Sequence, residues 1–208
     1  MHGTAKSSGG GIRYPRLYDF LIFLLTRGRE SAYRENLLDI ADIVPGQSFL
    51  DIGCGTGTLA LAASRRVGPG GAVTGVDVSE KMVSLARRKT RRARADIPFH
   101  VAGASRLPFA DSGFDAAAMT TVLHMIPDGE RQSALAEARR VLRSGGRLVL
   151  VDYAGGLESR RHLSARHGPH GAFDLHACRE TLRELGFRAI SEGPLGWLDL
   201  HFMAAEKA

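Results

Sequence analysis

Between residues 47 and 152 the chain alternates short apolar runs with stretches of helical spacing. The apolar runs predict five strands, at Ser48–Ile52, Ala72–Val76, Pro98–Ala102, Phe114–Thr120 and Arg147–Asp152. Apolar positions three and four residues apart predict helices at Leu59–Val67, from the Ser79 cap to about Ala95, and at Gly129–Leu142. Strands that alternate with helices in this way indicate a parallel sheet with helices on both faces.

The two ends of the chain follow other patterns. Residues 14–44 have helical spacing, with an apolar stripe from Leu17 to Leu25, and predict a second helix from about Glu30 to Val44. Near the other end, a helix at Asp174–Leu185 precedes two closely linked strands, at Phe187–Ser191 and Trp197–Ala204. That pair predicts an antiparallel hairpin that completes an α/β sheet. Residues 1–11 are polar and rich in glycine, and predict a flexible tail.

Composition is compatible with one globular domain. The chain has 208 residues, 44% of them hydrophobic, and a net charge of +6. Seven basic residues between Lys81 and Arg94 share a predicted helix with apolar positions, so they predict a solvated basic face. No aromatic residue interleaves this run, and we therefore do not expect a nucleic-acid partner.

Cysteine and histidine spacing gives no metal motif. Cys54 and Cys178 have no partner at ligand spacing, so we expect no metal, no disulfide framework and a cytoplasmic location. The apolar stripe in residues 17–25 is shorter than the roughly 20 residues that cross a bilayer. It would suit an apolar ligand or transient membrane contact. The sequence does not predict an oligomeric state.

Candidate chemistry lies in the loop Asp51-Ile-Gly-Cys-Gly-Thr-Gly57, between a predicted strand and a predicted helix. Glycines there allow positive φ angles and leave no Cβ in the way of a ligand. Asp77 ends the next predicted strand, where a carboxylate can accept hydrogen bonds from ribose hydroxyls. The third glycine comes one position earlier than in the dinucleotide fingerprint, so the pattern predicts a different nucleoside.

The segment LDIGCGTG, at residues 50–57, resembles the first motif of class I (seven-stranded) S-adenosylmethionine-dependent methyltransferases. Similar segments follow in the family's order at residues 75–79, 107–109, 114–115, 122–124 and 141–147. The resemblance implies a three-layer Rossmann-like methyltransferase fold over residues 47–208, with a mostly parallel seven-stranded sheet and a C-terminal antiparallel hairpin. It implies that N-terminal helices in residues 12–46 form part of the acceptor site.

The same resemblance implies S-adenosylmethionine as cofactor and a small-molecule methyl acceptor. The most similar subgroup methylates quinone rings and phospholipid headgroups, which favours a lipid-like, quinone-like or natural-product-like acceptor. A nucleic-acid methyltransferase and a non-catalytic S-adenosylmethionine-binding module remain as alternatives. The basic, histidine-rich segment after the fifth strand includes Arg160, Arg161, His162, Arg166, His167 and His170, followed by His176. It predicts an acidic or phosphate-bearing acceptor.

The resemblance also implies roles for single residues. The family pattern places one group around the methionine part of the cofactor: Asp51, Gly53, Cys54 and Gly55. It assigns the ribose to Asp77, and it places Val78, Met82, Gly103, Ala104 and Ser105 beside the adenine. Met119 and Thr120 would offer carbonyls near the sulfonium, and Tyr18 would close over the cofactor. Hydrophobic packing remains the alternative for Met82 and Tyr18.

Two positions bear on recognition and catalysis. Gly103 stands where the family usually has an acid, which removes an acceptor for the adenine amine. His124 follows the fourth strand at the predicted mouth of the pocket, and is the candidate catalytic base. A helix-cap or packing role is the alternative for His124.

Overall fold

The computed structural model describes residues 30–154, 173–196 and 199–208. Within them, seven strands form one sheet in the order β3-β2-β1-β4-β5-β7-β6. The strands are β1 Ser48–Ile52, β2 Ala72–Asp77, β3 Phe99–Val101, β4 Phe114–Thr120, β5 Leu142–Tyr153, β6 Phe187–Pro194 and β7 Leu200–Lys207. The first five are parallel, whereas β7 runs antiparallel to both β5 and β6. The predicted sheet with its C-terminal hairpin is confirmed.

Helices cover both faces of this sheet. The described α-helices are α1 Glu30–Ile40, α2 Thr58–Val67, α3 Glu80–Arg92, α4 Asp128–Val141 and α5 Cys178–Glu184. Two 3₁₀ helices, Leu123–Met125 and Leu175–Ala177, precede α4 and α5. Buried side chains of α1, α2 and α3 form one core layer with the sheet, and those of α4 and α5 form the other. The three-layer arrangement is therefore confirmed. No helix in the described ranges is long and apolar enough to cross a membrane.

Central strands match their predicted bounds better than the peripheral elements do. β1 and β4 have the predicted bounds, and β2 is one residue longer. The helix predicted to reach Val44 ends at Ile40, since Asp42 takes a left-handed φ of 53°. Both C-terminal strands extend past their predicted ends, and the turn between them is closed by Leu195 N–H donating to Leu200 O at 2.8 Å.

The turn predicted at residues 144–146 is wrong. Those residues lie inside β5, which begins at Leu142. Phe114 pairs with Leu142 and Ala116 with Arg147, so a bulge absorbs the extra residues while the ladder continues. Gly145 has a φ of 74° within this bulge, which explains why glycines occur there without a turn between separate elements.

The topology brings four described connections to one edge of the sheet. Parallel strands present their carboxyl ends to the same side, so the segments that follow β1, β2, β3 and β4 lie together. The order changes direction between β1 and β4, which is the topological switch point where open α/β sheets bind ligands. The predicted site residues Asp51 to Thr120 lie along this edge or directly beneath it.

Candidate functional site

Two of the loop glycines are required by close packing. A Cβ on Gly53, whose φ is 73°, would lie 2.2 Å from Val122 Cγ2. A Cβ on Gly57, whose φ is 76°, would lie 2.9 Å from the Ala86 Cβ of α3. The loop is also bonded to β2, because the N–H groups of Gly53 and Cys54 both donate to Val76 O, at 2.7 and 2.9 Å. The loop is therefore held tightly against its neighbours.

Gly55 differs from these two. Its φ is 52°, and a Cβ there would have no heavy atom within 4 Å. Packing does not demand glycine at this position, although the left-handed backbone favours it. The Gly55 N–H donates to Asp77 Oδ2 at 2.9 Å, so the loop is fixed while its outer side remains bare backbone beside open space. This is the surface that a ligand can approach most closely.

Asp77 links the loop to the start of α3. Its Oδ2 accepts from Gly55 N–H, and its Oδ1 accepts from Ser79 N–H at 2.8 Å. Burial raises the pKa of the Asp77 carboxyl, and the two backbone donors lower it in part. Each carboxylate oxygen has a second lone pair, so two further donors, such as a pair of vicinal hydroxyls, can still be accepted. The structure thus gives Asp77 a loop-holding role that the sequence did not predict.

Asp51 lies beneath the loop and is 1% exposed. Its Oδ2 accepts from Ala60 N–H at 3.1 Å, while Oδ1 has no partner among the described residues. Burial raises the pKa of Asp51 to about 7; the Ala60 hydrogen bond lowers it, Asp77 adds to the rise and Arg34 opposes it. A buried oxygen without a donor is costly, and a nearby cation would favour its ionised form. The two carboxylates, Asp51 and Asp77, therefore fit a positively charged ligand that carries a ribose.

Cys54 contributes to the loop through its backbone. Its side chain is buried in the core layer, and its carbonyl accepts from Gly57 N–H at 2.8 Å. Burial raises the pKa of the Cys54 thiol far above its ordinary value, so the thiol stays protonated. A direct ligand contact from Cys54 remains a prediction.

The segments predicted to surround the adenine differ in exposure. Val78 is 74% exposed beside Asp77 and offers an apolar surface, whereas Met82 is 4% exposed in the first turn of α3. A Cβ on Gly103 would meet only Ser105 Oγ, at 3.9 Å, and its φ is not left-handed. The backbone therefore does not require glycine at position 103. Ser105 Oγ donates to Glu130 Oε2 at 3.1 Å, and Ala104 packs at the edge of the second core layer.

The end of β4 turns sharply. Met119 is fully buried in the second core layer, so its side chain is a core residue. Thr121 has a φ of 55°, which is strained for a β-branched residue. Its hydroxyl donates to Thr120 O at 2.7 Å. One acceptor position of the carbonyl that is predicted to face the cofactor is therefore already used. The strained residue lies at the carboxyl edge, where such strain often marks functional sites.

His124 has a partner that sequence reasoning missed. Its Nδ1 lies 2.9 Å from Asp152 Oδ1, and its backbone N–H donates to Asp152 Oδ2 at 3.2 Å. Asp152 ends the apolar part of β5 and is 1% exposed. The signal was available, because β4 and β5 are adjacent parallel strands whose ends meet at one edge. The structure brings His124 to this edge beside a buried carboxylate, and its role as a base remains a prediction.

The basic run on α3 is only partly a solvated face. Lys89 Nζ donates to Thr56 Oγ1 at 2.7 Å and to Thr58 Oγ1 at 2.6 Å, which ties α3 to the glycine loop. Arg87 donates to Phe99 O of β3. Both cations therefore make specific contacts within the fold. Arg87 is nevertheless exposed, as a solvated face predicts, whereas Lys89 is only partly exposed.

Several predicted residues lie outside the described ranges. They are Tyr18, Arg160, Arg161, His162, Arg166, His167 and His170, together with the tail and the apolar stripe in residues 17–25. His176 is described; its ring stacks edge-on against His201, with centroids 5.4 Å apart, and its Nδ1 is 3.8 Å from Glu192 Oε2. Within the described ranges, no three histidine, cysteine, aspartate or glutamate side chains are grouped as metal ligands.

The segment that contains the glycine loop is similar to known proteins. A family model described as a methyltransferase domain matches residues 49–146. A demethylmenaquinone methyltransferase of Thermus thermophilus is 38% identical over 136 residues, which cover 65% of this chain and 60% of the relative. An uncharacterised protein encoded in a transposon of Streptomyces fradiae is 39% identical over 151 residues, 72% of this chain and 43% of that protein.

A solved structure agrees over nearly the whole chain. A SAM-dependent methyltransferase from Aquifex aeolicus superposes with a TM-score of 0.76 at 20% identity, covering 95% of this chain and all of that one. At that identity the likeness concerns the fold. The chain spans about half the length of the curated relatives it matches.

Proposed function

We propose that the chain is a class I S-adenosylmethionine-dependent methyltransferase, and that it transfers a methyl group from S-adenosylmethionine to a small-molecule acceptor. The observation that carries the proposal is the pairing of Gly55 with Asp77. A bare, left-handed backbone position lies 2.9 Å from a carboxylate that keeps free lone pairs. This arrangement suits close approach of a nucleoside, with its hydroxyls on the acid.

Each part of the site has a role in holding the methyl donor. Asp77 would accept the ribose hydroxyls, and Val78 would cover one side of the adenine. Asp51 would stabilise the cationic end of the cofactor, since its unpartnered oxygen lies beneath the loop. S-adenosylmethionine supplies an activated methyl group on a sulfonium. The protein's main contribution is then to align acceptor and donor, which can be worth about 7–11 kcal/mol.

As methyl acceptor we propose an aromatic or quinone-like small molecule. Support comes from the Thermus relative, whose name refers to demethylmenaquinone. Met125, an apolar residue that is 36% exposed beside His124, offers such a molecule a contact surface at the edge. We also propose a cytoplasmic location, supported by the buried, unpaired thiols of Cys54 and Cys178.

Calorimetric titration with S-adenosylmethionine tests the donor. Wild-type protein should bind it much more tightly than NAD, and Asp77→Ala should weaken it at least tenfold, because a charged acceptor of two hydrogen bonds is lost. Asp96→Ala, at an exposed position in the loop after α3, is the matched control and should bind normally. Equal affinity in wild type and Asp77→Ala would refute the ribose assignment.

Transfer is tested with isotope-labelled S-adenosylmethionine and a cell extract that contains both small molecules and nucleic acid. Mass spectrometry should find the labelled methyl group on a small molecule in the presence of wild-type protein. Tight binding without any labelled product from extract would favour the non-catalytic binding module instead. Label found on nucleic acid would favour the other alternative.

A further inference from the structure

The Asp152 carboxylate accepts three hydrogen bonds from its immediate surroundings. Besides His124 Nδ1 and His124 N–H, it accepts Tyr153 N–H at 3.0 Å on Oδ1. Three donors therefore compensate a carboxylate that is 1% exposed. Both the backbone and the ring of His124 are tied to it, which fixes the orientation of the imidazole.

The exposed side of this pair is the histidine. The His124 side chain is 17% exposed, against 1% for Asp152. Its ring also stacks edge-on against Tyr153, with centroids 5.3 Å apart. Because a carboxylate accepts only, a hydrogen bond at Nδ1 requires the proton to be on Nδ1. The neutral ring then has its lone pair on Nε2, the other ring nitrogen.

The neighbouring charges leave this arrangement intact. Arg131 Nε donates to the carbonyls of Leu123 and Ile126, at 2.9 and 3.0 Å, and so anchors the 3₁₀ helix that holds His124. Burial raises the pKa of the Cys178 thiol to about 11, with Asp152 adding to the rise and Arg131 opposing it, so this neighbour is neutral at physiological pH. Asp152 is thus the anionic group hydrogen-bonded to the ring.

We propose that Asp152 is a positioning residue that makes His124 Nε2 the general base for an acceptor with an acidic hydroxyl. The proposal rests on the methyl-transfer function above and adds the acceptor class to it. Arrangements in which a buried acid holds a histidine for proton removal are a recurrent solution to this task. An amine acceptor can attack the methyl group with the free lone pair on its nitrogen. It would therefore not need the His124–Asp152 pair.

Methyl transfer to a hydroxyl requires that the hydroxyl proton be removed. Nε2 takes the proton of the acceptor hydroxyl, and the O–H electron pair on oxygen forms the new bond to the methyl carbon. The pair of the broken carbon–sulfur bond stays on sulfur, which loses its positive charge. The imidazolium is stabilised by Asp152 and later releases its proton to water. A phenolic hydroxyl, with a pKa near 10, is within reach of a histidine base, unlike a simple alcohol.

Two model acceptors separate base catalysis from a structural role. They are 1-naphthol, which is mostly protonated near pH 7, and 2,4-dinitro-1-naphthol, which is already ionised. His124→Gln should lose about 100-fold or more in kcat with 1-naphthol, in line with general-base contributions, and less than threefold with the dinitro compound. Asp152→Asn should lose about 10- to 100-fold with 1-naphthol alone, because the ring is no longer held in the required tautomer.

The pH profile gives a second readout. With 1-naphthol, the His124→Gln rate should rise about tenfold per pH unit, because only ionised acceptor reacts, and it should approach the wild-type rate at high pH. His100→Gln is the matched control, since His100 also makes an edge-on aromatic contact, 5.2 Å from Phe109. It should behave as wild type with both acceptors. Equal losses on both acceptors, or a constant ratio at every pH, would overturn the proposal.

The tautomer of His124 can be determined without turnover. Nitrogen-15 NMR of the wild-type protein should show His124 with its proton on Nδ1, and Asp152→Asn should change that population; a proton on Nε2 would overturn the proposal. Wild-type protein that binds S-adenosylmethionine but methylates 1-naphthylamine in preference to 1-naphthol, or neither, would overturn the acceptor class. Failure to bind S-adenosylmethionine would instead refute the proposed function. The NMR measurement of the tautomer would still show whether Asp152 positions the His124 ring.

Discussion

Replacing Asp51 by asparagine should make the protein increasingly more stable than wild type as pH rises. Asp51 has an ordinary pKa of 3.8 and a folded pKa of about 7 because of burial. The folded protein therefore binds this proton more tightly than the unfolded chain does. Stability linked to Asp51 is complete below pH 3.8, and it is lost as pH rises towards and through 7.

The magnitude follows from the two pKa values. A shift of about three units corresponds to about 4 kcal/mol of unfolding free energy once Asp51 is fully ionised. Because the side chain is 1% exposed, solvent screening does not reduce this figure much. About 2 kcal/mol of this is already lost at pH 5, so the wild-type protein should lose about 2–3 kcal/mol more than Asp51→Asn between pH 5 and pH 8. Any constant cost of burying the amide cancels from this difference.

Urea unfolding of both proteins at pH 5 and pH 8 measures the effect. The matched control is Asp115→Asn. Although burial raises the pKa of Asp115, hydrogen bonds from Ser48 and the nearby Arg143 hold it below its ordinary value. Asp115 is therefore ionised at both pH values, folded or unfolded, and its variant should show no pH-dependent difference from wild type. If Asp51→Asn also showed no pH-dependent difference from wild type, Asp51 would not have a raised pKa in the folded protein.

Two further pairs of substitutions, each a test variant and its control, probe the loop and the adenine side. Gly55→Ala and Gly145→Ala should each cost about 1–2 kcal/mol of unfolding free energy, because both positions have a positive φ and open space. Only Gly55→Ala should also weaken S-adenosylmethionine in calorimetry, and equal affinities in the two variants would contradict close cofactor approach at Gly55. Gly103→Asp should fold normally and tighten S-adenosylmethionine about tenfold by adding an acceptor, whereas Gly103→Ala should not. A looser complex with Gly103→Asp than with Gly103→Ala would show that the adenine amine lies elsewhere.

The strands that could be predicted best are those buried on both faces. β1 and β4 are short apolar runs between clear turn signals, and their bounds match the structure. The predicted fifth strand begins at Arg147, later than β5 does, because Ser144-Gly145-Gly146 has the composition of a turn. The pairing of Phe114 with Leu142 keeps those residues in the ladder, and a pairing between distant segments cannot be deduced from local composition.

The site was predictable where it depends on backbone, and less so where it depends on side-chain pairing. The glycine loop and Asp77 were located because positive φ and strand-end position leave a local signal. The His124–Asp152 pair needed the adjacency of β4 and β5, and the contact of Lys89 with Thr56 needed the packing of α3 on the loop. Charge patterning alone assigned Lys89 to solvent, because helical spacing shows a face but not what lies opposite it.

The central claim is that the methyl donor binds over Gly55 with its ribose on Asp77. A crystal structure of the wild-type protein with S-adenosylhomocysteine tests this most directly. We expect both ribose hydroxyls within hydrogen-bond distance of the Asp77 carboxylate, and the adenine beside Val78. Density for the ligand away from the carboxyl edge of β1 and β2, or a ribose with no contact to Asp77, would contradict the account.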